Sequence, residues 1–507
     1  MNITNSQGKH YGLNAVRSTL RHFLLGKVFT SISSVAVLLL LARELSIPDY
    51  AIYILIQAVI LIVGLVSSFG INQSVMRYVP SLRAEGNNRA MYSLIFISLP
   101  IRALAIACVL SAVWWLQPHM VSWLNMGEWS WLLPWCLFMG WLRLLSFFLS
   151  QILESLLWQK SSQYSLALTS LIKLLMLIVM ISYTDISFKD ALMIDLIGEG
   201  LAVILLLSAL TYGWRDDGER HNGNNKWFVE HRKRVFRYGM WSYFQTISNG
   251  LYGSAPNRLF AARFMSTIDL GLFGFVSALT DLGRRYLPTR MLHGMIRPLF
   301  FSKLINNSSF RELVQMADFN FRVSLLLLVI PALVLVTAGY PILNWLTNDK
   351  YGVAAYLLAA FLCVLALESF WSQIELLAQA VERNHLLVIG NILLSLSLLM
   401  ALPMVSFLGL WSLVIANIIG NIAAITWIVL SLTREGFPLV IEWKLTLRIL
   451  ILFGVSSVTG LLFNQQFQTL MTGNIISLSL MVLGLIIWPP FLRAEIEVFK
   501  NILLKRP

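Results

Sequence analysis

Four arginines, Arg258, Arg284, Arg285 and Arg290, fall in or beside two apolar segments of the second half of the chain. An ionised side chain at membrane depth costs about 2.5–3.5 kcal/mol on insertion scales, so it faces a protein interior or water rather than lipid. A guanidinium stays charged and offers paired donors to phosphate oxygens, so such a cluster suits a multiply charged phosphate headgroup. Asp281 stands three and four residues before Arg284 and Arg285, and local pairing along one helix is the other reading. The preceding segment adds Gln245, Asn249 and Asn257, with Gln245, Asn249 and Tyr252 at the spacing of one helix face. Gly250, Gly253 and Pro256 interrupt that segment, which a membrane helix tolerates where neighbours or water satisfy the freed backbone.

Carboxylates form a second set. Asp195 and Glu199 lie one turn apart, and Lys173 lies in the segment before them. Such a group either exchanges a coupling H+ or Na+ or forms a buried ion pair that ties two neighbouring helices together. Glu368 and Glu375, two turns apart, are open to the same two readings, as coupling sites or as hydrogen-bond partners between helices. Arg102 and Arg143 are further ionisable residues at membrane depth. No cofactor or metal is expected. Cys108, Cys136 and Cys363 each sit inside an apolar run, without CxxC or zinc-ligand spacing. The chain has no GxxxxGK[ST] phosphate loop, no HExxH, no GxSxG and no nucleophile-plus-base set, so ATP hydrolysis and other enzymatic chemistry are not expected.

These residues need scaffolding, and composition says of what kind. Of 507 residues, 57% are hydrophobic and 12% charged, against roughly 45–50% and about 25% in soluble domains. An all-α polytopic membrane protein of about 14 spans follows, at about 20 apolar residues each. The predicted spans are 23–42, 50–76, 92–116, 130–156, 164–183 and 190–212, then 239–262, 270–296, 319–340, 353–380, 386–405, 410–432, 446–463 and 474–492. The first is too long for a signal-peptide core and lacks a cleavage site, so it is expected to be retained. The net charge of +13 falls between the apolar runs rather than on a solvated face, which argues against nucleic acid. One set of alternate loops carries only Arg43, Lys189, Arg263 and Lys350, and the basic loops and both termini share the other side. The positive-inside bias then makes both termini cytoplasmic. Trp114, Trp115, Trp123, Trp129, Trp131, Trp135 and Trp141 flank an external loop, where interfacial anchoring accounts for them and sugar stacking is the other use. The tail from Leu492 reads either as an amphipathic surface helix or as a plain charged tail.

The longest hydrophilic interruption, Trp214–Tyr238, mixes seven basic residues with Asp216, Asp217, Glu219 and Glu230 and reads as a linker. It divides the chain into an N-terminal lobe at 1–213, the linker at 214–238, a C-terminal lobe at 239–432, and 433–507 with two extra helices and a tail. The two lobes repeat. At an offset of 220 residues, Ala42, Arg43, Ser46 and Asp49 fall on Ala262, Arg263, Ser266 and Asp269, and Met76-Arg77 falls on Ile296-Arg297. An even number of spans between the copies makes the repeat parallel, with its axis along the membrane normal.

The stretches ARELSIPDYAIY (42–53) and SSFGINQSVMRY (67–78), with NRLFAARFMSTIDLGLFGF (257–275) and FLGLWSLVIAN (407–417), resemble the polysaccharide-exporter branch of the MOP flippase superfamily. The acidic residue usual in that family before the Arg of helix seven is Asn257 here, a departure at a position where the family would carry an ion or proton role. Fourteen spans are similar to Wzx-type oligosaccharide-lipid flippases or lipid II flippases, whereas the MATE branch usually has twelve. The resemblance implies two pseudo-symmetric six-helix lobes working by alternating access around a central cavity in the bacterial cytoplasmic membrane. The implied cargo is an undecaprenyl-diphosphate-linked oligosaccharide for O-antigen, capsule or exopolysaccharide, moved outward with coupling to an ion gradient. Its implied partners are the lipid-linked glycan, membrane lipids, and a polysaccharide polymerase with its chain-length machinery. The alternatives are a MATE-like drug/cation antiporter and a membrane glycan polymerase or ligase. The last is disfavoured because such enzymes usually place catalytic Arg and His in a large external loop, and the longest one here, near 117–129, is about a dozen residues with His119 and no Arg.

Overall fold

An apolar segment in lipid satisfies its own backbone only as a helix or within a closed barrel. The computed structural model describes residues 13–119, 127–216, 223, 227–291, 310–381, 383–467 and 470–491, and these contain helices and no strand. The first helices are α1 (Leu13–Glu44), α2 (Ile47–Val66), α3 (Ile71–Ala84) and α4 (Asn88–Trp115). A 3-10 turn then leads into α5 (Leu133–Ser155), followed by α6 (Gln159–Tyr183) and α7 (Phe188–Asp216). Next come α8 (Trp227–Gly250), α9 (Ser254–Phe264), α10 (Thr267–Tyr286) and the short α11 (Pro288–Met291). The last are α12 (Phe310–Leu346), α13 (Ala354–Ala380), α14 (Asn384–Leu408), α15 (Trp411–Arg434), α16 (Trp443–Phe467) and α17 (Leu470–Ile487).

Ten of these helices, α2, α4 to α7 and α12 to α16, are long and apolar enough to cross a membrane. The protein is an all-α, multi-pass membrane protein. The remaining expected spans are α1, the α8–α9 pair, the α10–α11 pair and the shorter apolar α17.

The internal repeat holds at the level of helix ends. α1 ends at Glu44 and α9 at Phe264, and α2 (Ile47–Val66) and α10 (Thr267–Tyr286) begin and end 220 residues apart. Their N-termini are built alike. Ser46 Oγ accepts the Asp49 amide at 3.2 Å and donates to its carboxylate at 2.9 Å. Ser266 does the same with Asp269 at 3.1 and 2.7 Å. The serine satisfies an orphan helix donor and the aspartate complements the helix dipole.

Span 2 is not the continuous run expected over 50–76. α2 stops at Val66, and the chain turns through Phe69 (φ 41°) and Gly70 (φ 74°) before α3 resumes. The break frees carbonyls at membrane depth, and other helices satisfy them. Arg102 of α4 donates to Gly64 O at 3.1 Å and Ser67 Oγ at 3.0 Å, and Tyr243 of α8 donates to Val66 O at 2.8 Å. The turn runs so close to α8 that a Cβ at Gly70 would overlap the backbone of Gly239. Span 7 is also broken, at Leu251–Gly253, where Gly253 has φ 128°. The break ends the polar face expected along Gln245, Asn249 and Tyr252.

The charged stretch Trp214–Tyr238 is more ordered than its composition suggests. α7 runs into it as far as Asp216, and α8 starts at Trp227, while 217–222 and 224–226 lie outside the described residues. Averaging the charge hides an apolar stripe. Trp227, Val235 and Tyr238 come three to eight residues apart, and the rings of Trp227 and Tyr238 both pack edge-on against Tyr78 of α3.

The contacts divide the chain into two compact units, Met1–Gly271 and Leu272–Pro507, so α8 and α9 pack with the first. The division falls there, and not at the hydrophilic stretch, because α8 lies along α3 and α9 against α2. In the first unit, Val79, Leu82, Ile95, Phe148, Ile152 and Leu206 form a buried core from α3, α4, α5 and α7. In the second, α12 pairs with α13 and α14 with α15, and the extra helices α16 and α17 pack on α12.

Gly70 and Gly86 both have left-handed φ, but a Cβ at Gly86 would meet nothing within 4 Å. Gly86→Ala is therefore expected to cost only the conformational term of about 1–2 kcal/mol. Gly70→Ala adds the overlap with Gly239 and should lower the thermal unfolding midpoint of the detergent-solubilised protein clearly further.

Candidate functional site

The carboxylates of α7 are buried in the first unit. Asp195 and Glu199 are one turn apart and both buried, and Lys173 of α6 reaches between them, with Nζ 2.9 Å from Asp195 Oδ1 and 2.9 Å from Glu199 Oε1. The residue between them on that face is Gly198, where any Cβ would overlap the lysine side chain. Tyr53 of α2 donates to Asp195 Oδ2 at 2.9 Å and Gln57 Nε2 lies 3.3 Å from the same oxygen. Ser146 of α5 donates to Glu199 Oε2 at 2.9 Å, and Arg143 lies 3.9 Å from Glu199 while donating to Gln57 Oε1. Two cations and two anions from α5, α6 and α7 are thus matched, with polar partners from α2. Buried charges are tolerable on those terms. Each contributing pair sits at helical spacing, Tyr53 with Gln57, Arg143 with Ser146 and Asp195 with Glu199, so each helix turns one face inward.

The second unit has a smaller cluster. Arg284 near the end of α10 makes a two-pronged contact with Glu368 of α13, Nε to Oε2 at 2.8 Å and Nη2 to Oε1 at 3.0 Å. Its third nitrogen donates to Asp281 Oδ1 at 2.8 Å. Local pairing with Asp281 is therefore present, and Glu368 adds a second carboxylate from 84 residues away. The positive excess that the sequence suggests around Asp281, Arg284 and Arg285 is balanced by Glu368. Arg285 is exposed.

The other expected site residues are dispersed. Arg258 and Asn257 are buried on α9 in the first unit, and Gln245 is exposed on α8. The side chains of Asn249 and Arg290 lie outside the described residues. Glu375 does not join Glu368; it accepts a hydrogen bond from Gln379 of its own helix at 3.2 Å. Among the described residues, no group of three or more His, Cys, Asp or Glu side chains is placed to hold a metal ion.

Like Tyr53 and Ser146, Arg322 stands outside the sequence expectations. Arg322 of α12 is fully buried, 3.1 Å from Asp318 Oδ2, and it donates to Pro490 O at 2.6 Å. It stands 220 residues after Arg102, so carrying the repeat offset past the first two helices would have found it.

A scan against protein-family models finds no match. A search of curated proteins finds none either. Solved structures do match. The chain is similar to the lipid II flippase MurJ in an inward closed conformation, with TM-score 0.62 and 10% identity over 95% of this chain and 99% of that one. The chain has the fold of that flippase structure. It also shares that fold with an inward-facing MATE family multidrug transporter of the MOP superfamily, at TM-score 0.56 and 14% identity over 80% of this chain and 94% of the other. The MATE multidrug transporter DinF-BH, in complex with rhodamine 6G, gives 0.57 and 16%, over 86% and 98%.

Removing one partner from a balanced buried ion network leaves a charge stranded, which costs about 3–5 kcal/mol. Lys173→Met is expected to destabilise the protein by that order. Lys173→Met with Asp195→Asn leaves Arg143 facing Glu199 and should recover much of the loss. Thermal unfolding in detergent or nanodiscs reads both.

Proposed function

We propose that this protein is a flippase that carries an undecaprenyl-diphosphate-linked oligosaccharide outward across the bacterial cytoplasmic membrane, for surface polysaccharide assembly. The observation that carries the reading is the extent of the MurJ match, which takes in 95% of this chain where the MATE matches take in 80% and 86%. A transporter in which nearly all of this chain finds a counterpart is a better guide than one that leaves a larger share unmatched. The chemistry fits. Diphosphate recognition needs guanidinium forks, and Arg285 is exposed next to Arg284, with Arg290 one short step further along the chain. Arg284 engages a phosphate only by giving up Glu368 and Asp281, so the headgroup competes with carboxylates for it. Arg258, Gln245, Asn249 and Asn257 are the further polar groups assigned to the cargo.

Movement by alternating access is proposed to draw on an H+ or Na+ gradient. Glu368 and Glu375 are the carboxylates to test first. The balanced network favours a clamp for Asp195 and Glu199, since protonating either leaves Lys173 or Arg143 under-matched. Both termini are assigned to the cytoplasmic side by the distribution of Lys and Arg. A polysaccharide polymerase and its chain-length machinery are the expected partners, and the role is transport rather than catalysis.

The antiporter reading stays in play because TM-scores of 0.56 and 0.57 lie close to 0.62. Proteoliposomes separate the two. The protein should equilibrate a fluorescent undecaprenyl-diphosphate saccharide across the bilayer and leave rhodamine 6G unmoved. Arg285→Ala with Arg290→Ala should slow flipping by roughly tenfold or more, the equivalent of one or two charge-assisted bonds, with membrane insertion intact. Rhodamine movement driven by an ion gradient, with no lipid flipping, would sink the flippase reading.

A further inference from the structure

The extra helix α16 helps form a recess that none of the chemistry above uses. It lies at the C-terminal end of α12, beneath the turn 347–353, with walls from α13 and α16, and has a volume of about 820 Å³. That falls in the size range of small-molecule sites. Its polar lining is Asn344, Asn348, Asn464, Gln465 and Asp349, and among the described lining residues there is no Lys, Arg or His. Three aromatic residues, Tyr340, Trp345 and Tyr356, stand beside these amides.

This is the wrong lining for a diphosphate, which needs cations. It is also a poor lining for an acyl chain, because buried amides without partners are costly. It suits a ring that carries adjacent hydroxyls on its edge and C–H groups on its faces. An amide offers a donor and an acceptor in one plane, and an aromatic ring offers a flat apolar face with a polar tip. Interfacial anchoring explains exposed tryptophans and tyrosines, but it does not call for four amides and a carboxylate gathered beside them.

The recess is held in shape. Asn464 Nδ2 donates to Thr337 O at 2.7 Å, and Thr337 Oγ1 lies 3.0 Å from Asn474 Oδ1, which ties α12, α16 and α17 together. The turn above it has two consecutive left-handed residues, Asn348 (φ 49°) and Asp349 (φ 61°). Asn and Asp are the residues other than glycine that adopt this conformation most readily, so the turn is a stable part of the fold. The turn is pinned by Asp349 N to Asn344 O at 2.9 Å and by Thr347 Oγ1, which donates to Leu343 O at 2.6 Å and accepts from Tyr351 N at 3.2 Å. Tyr351 is fully buried and stacks on Phe275 with centroids 4.7 Å apart.

We propose that this recess is a saccharide subsite, which takes a neutral or amino sugar of the cargo on the side to which the cargo is delivered. The polyol chemistry rests on the lining alone. The identification of the sugar as cargo, and of this end as the outer one, rests on the flippase reading and its orientation.

The test uses full-length protein in phosphatidylcholine nanodiscs, with maltotriose, N,N′-diacetylchitobiose and a uronic-acid disaccharide as free probes, read by saturation-transfer NMR. Transfer is expected to at least one neutral or N-acetylated probe. It should fall roughly tenfold in Trp345→Ala/Tyr356→Ala, whose side chains are exposed so that folding is preserved, and again in Asn464→Leu. Tyr183→Ala, exposed in the other unit, should leave it unchanged. No transfer to any probe, or equal transfer in the Trp345/Tyr356 variant, overturns the subsite. Lipid flipping without saccharide transfer overturns the subsite and leaves the flippase standing; saccharide transfer without flipping does the reverse.

Discussion

No water reaches the middle of a bilayer, so every charge and every freed backbone group there has to find its partner inside the protein. Most of what distinguishes this chain from a bundle of plain apolar helices follows from that constraint. Lys173 is buried because two carboxylates meet it, and the carboxylates are buried because Tyr53, Gln57, Ser146 and Arg143 fill their remaining positions. Gly198 is part of the same arrangement, since a side chain there would occupy the space the lysine needs. Removing any one member changes the cost of all the others, so the network holds four helices in one arrangement.

The same constraint governs the broken helices. A break in a soluble protein is satisfied by water, whereas the one after α2 is satisfied by Arg102 and Tyr243. Arg102 belongs to the first unit's third expected span and has its repeat mate in Arg322 of α12. The two copies use that arginine differently. Arg102 bonds neutral oxygens around a helix break, whereas Arg322 sits beside Asp318 and donates to a carbonyl that follows α17. Both copies hold a buried cation with different partners, and in the second one of its two partners comes from the part of the chain that has no counterpart in the first.

How much of this was legible in the sequence depends on how local each interaction is. Ten spans were legible because each holds an apolar run long enough to cross a membrane, and the repeat because Ser46 with Asp49 and Ser266 with Asp269 cap their helices from within four residues. Lys173 with Asp195 and Glu199 was legible as a group because their helices are consecutive. Tyr53 and Ser146 were not, since only packing brings α2 and α5 to the same carboxylates. Glu368 was visible as a charge but not as the partner of Arg284, for the same reason. The break at Ser67–Gly70 was missed because small polar residues inside an apolar run do not by themselves end a helix; the left-handed turn does, and it is stabilised by residues far away in sequence. The order in α8 was missed for the opposite reason, because averaging charge over Trp214–Tyr238 conceals the spacing of three aromatic and apolar residues.

The placement of charge also bears on how the two units differ. The first keeps its ionisable cluster balanced and closed, with each carboxylate bonded to a cation and to a neutral donor. The second ties up Arg284 with two carboxylates but leaves Arg285 exposed beside it, and it adds α16, which brings the amides of Asn464 and Gln465 to the far end of α12, where Tyr340, Trp345 and Tyr356 stand. A carrier of a lipid-linked glycan has two chemically distinct parts to recognise, a charged headgroup and a hydroxyl-rich ring. Cationic forks serve the first and neutral amides with aromatic faces the second, and no single lining does both well. Arg285 and the recess lined by Asn464 and Trp345 belong to one unit and present two chemically different surfaces, a cation and a neutral amide-and-aromatic lining.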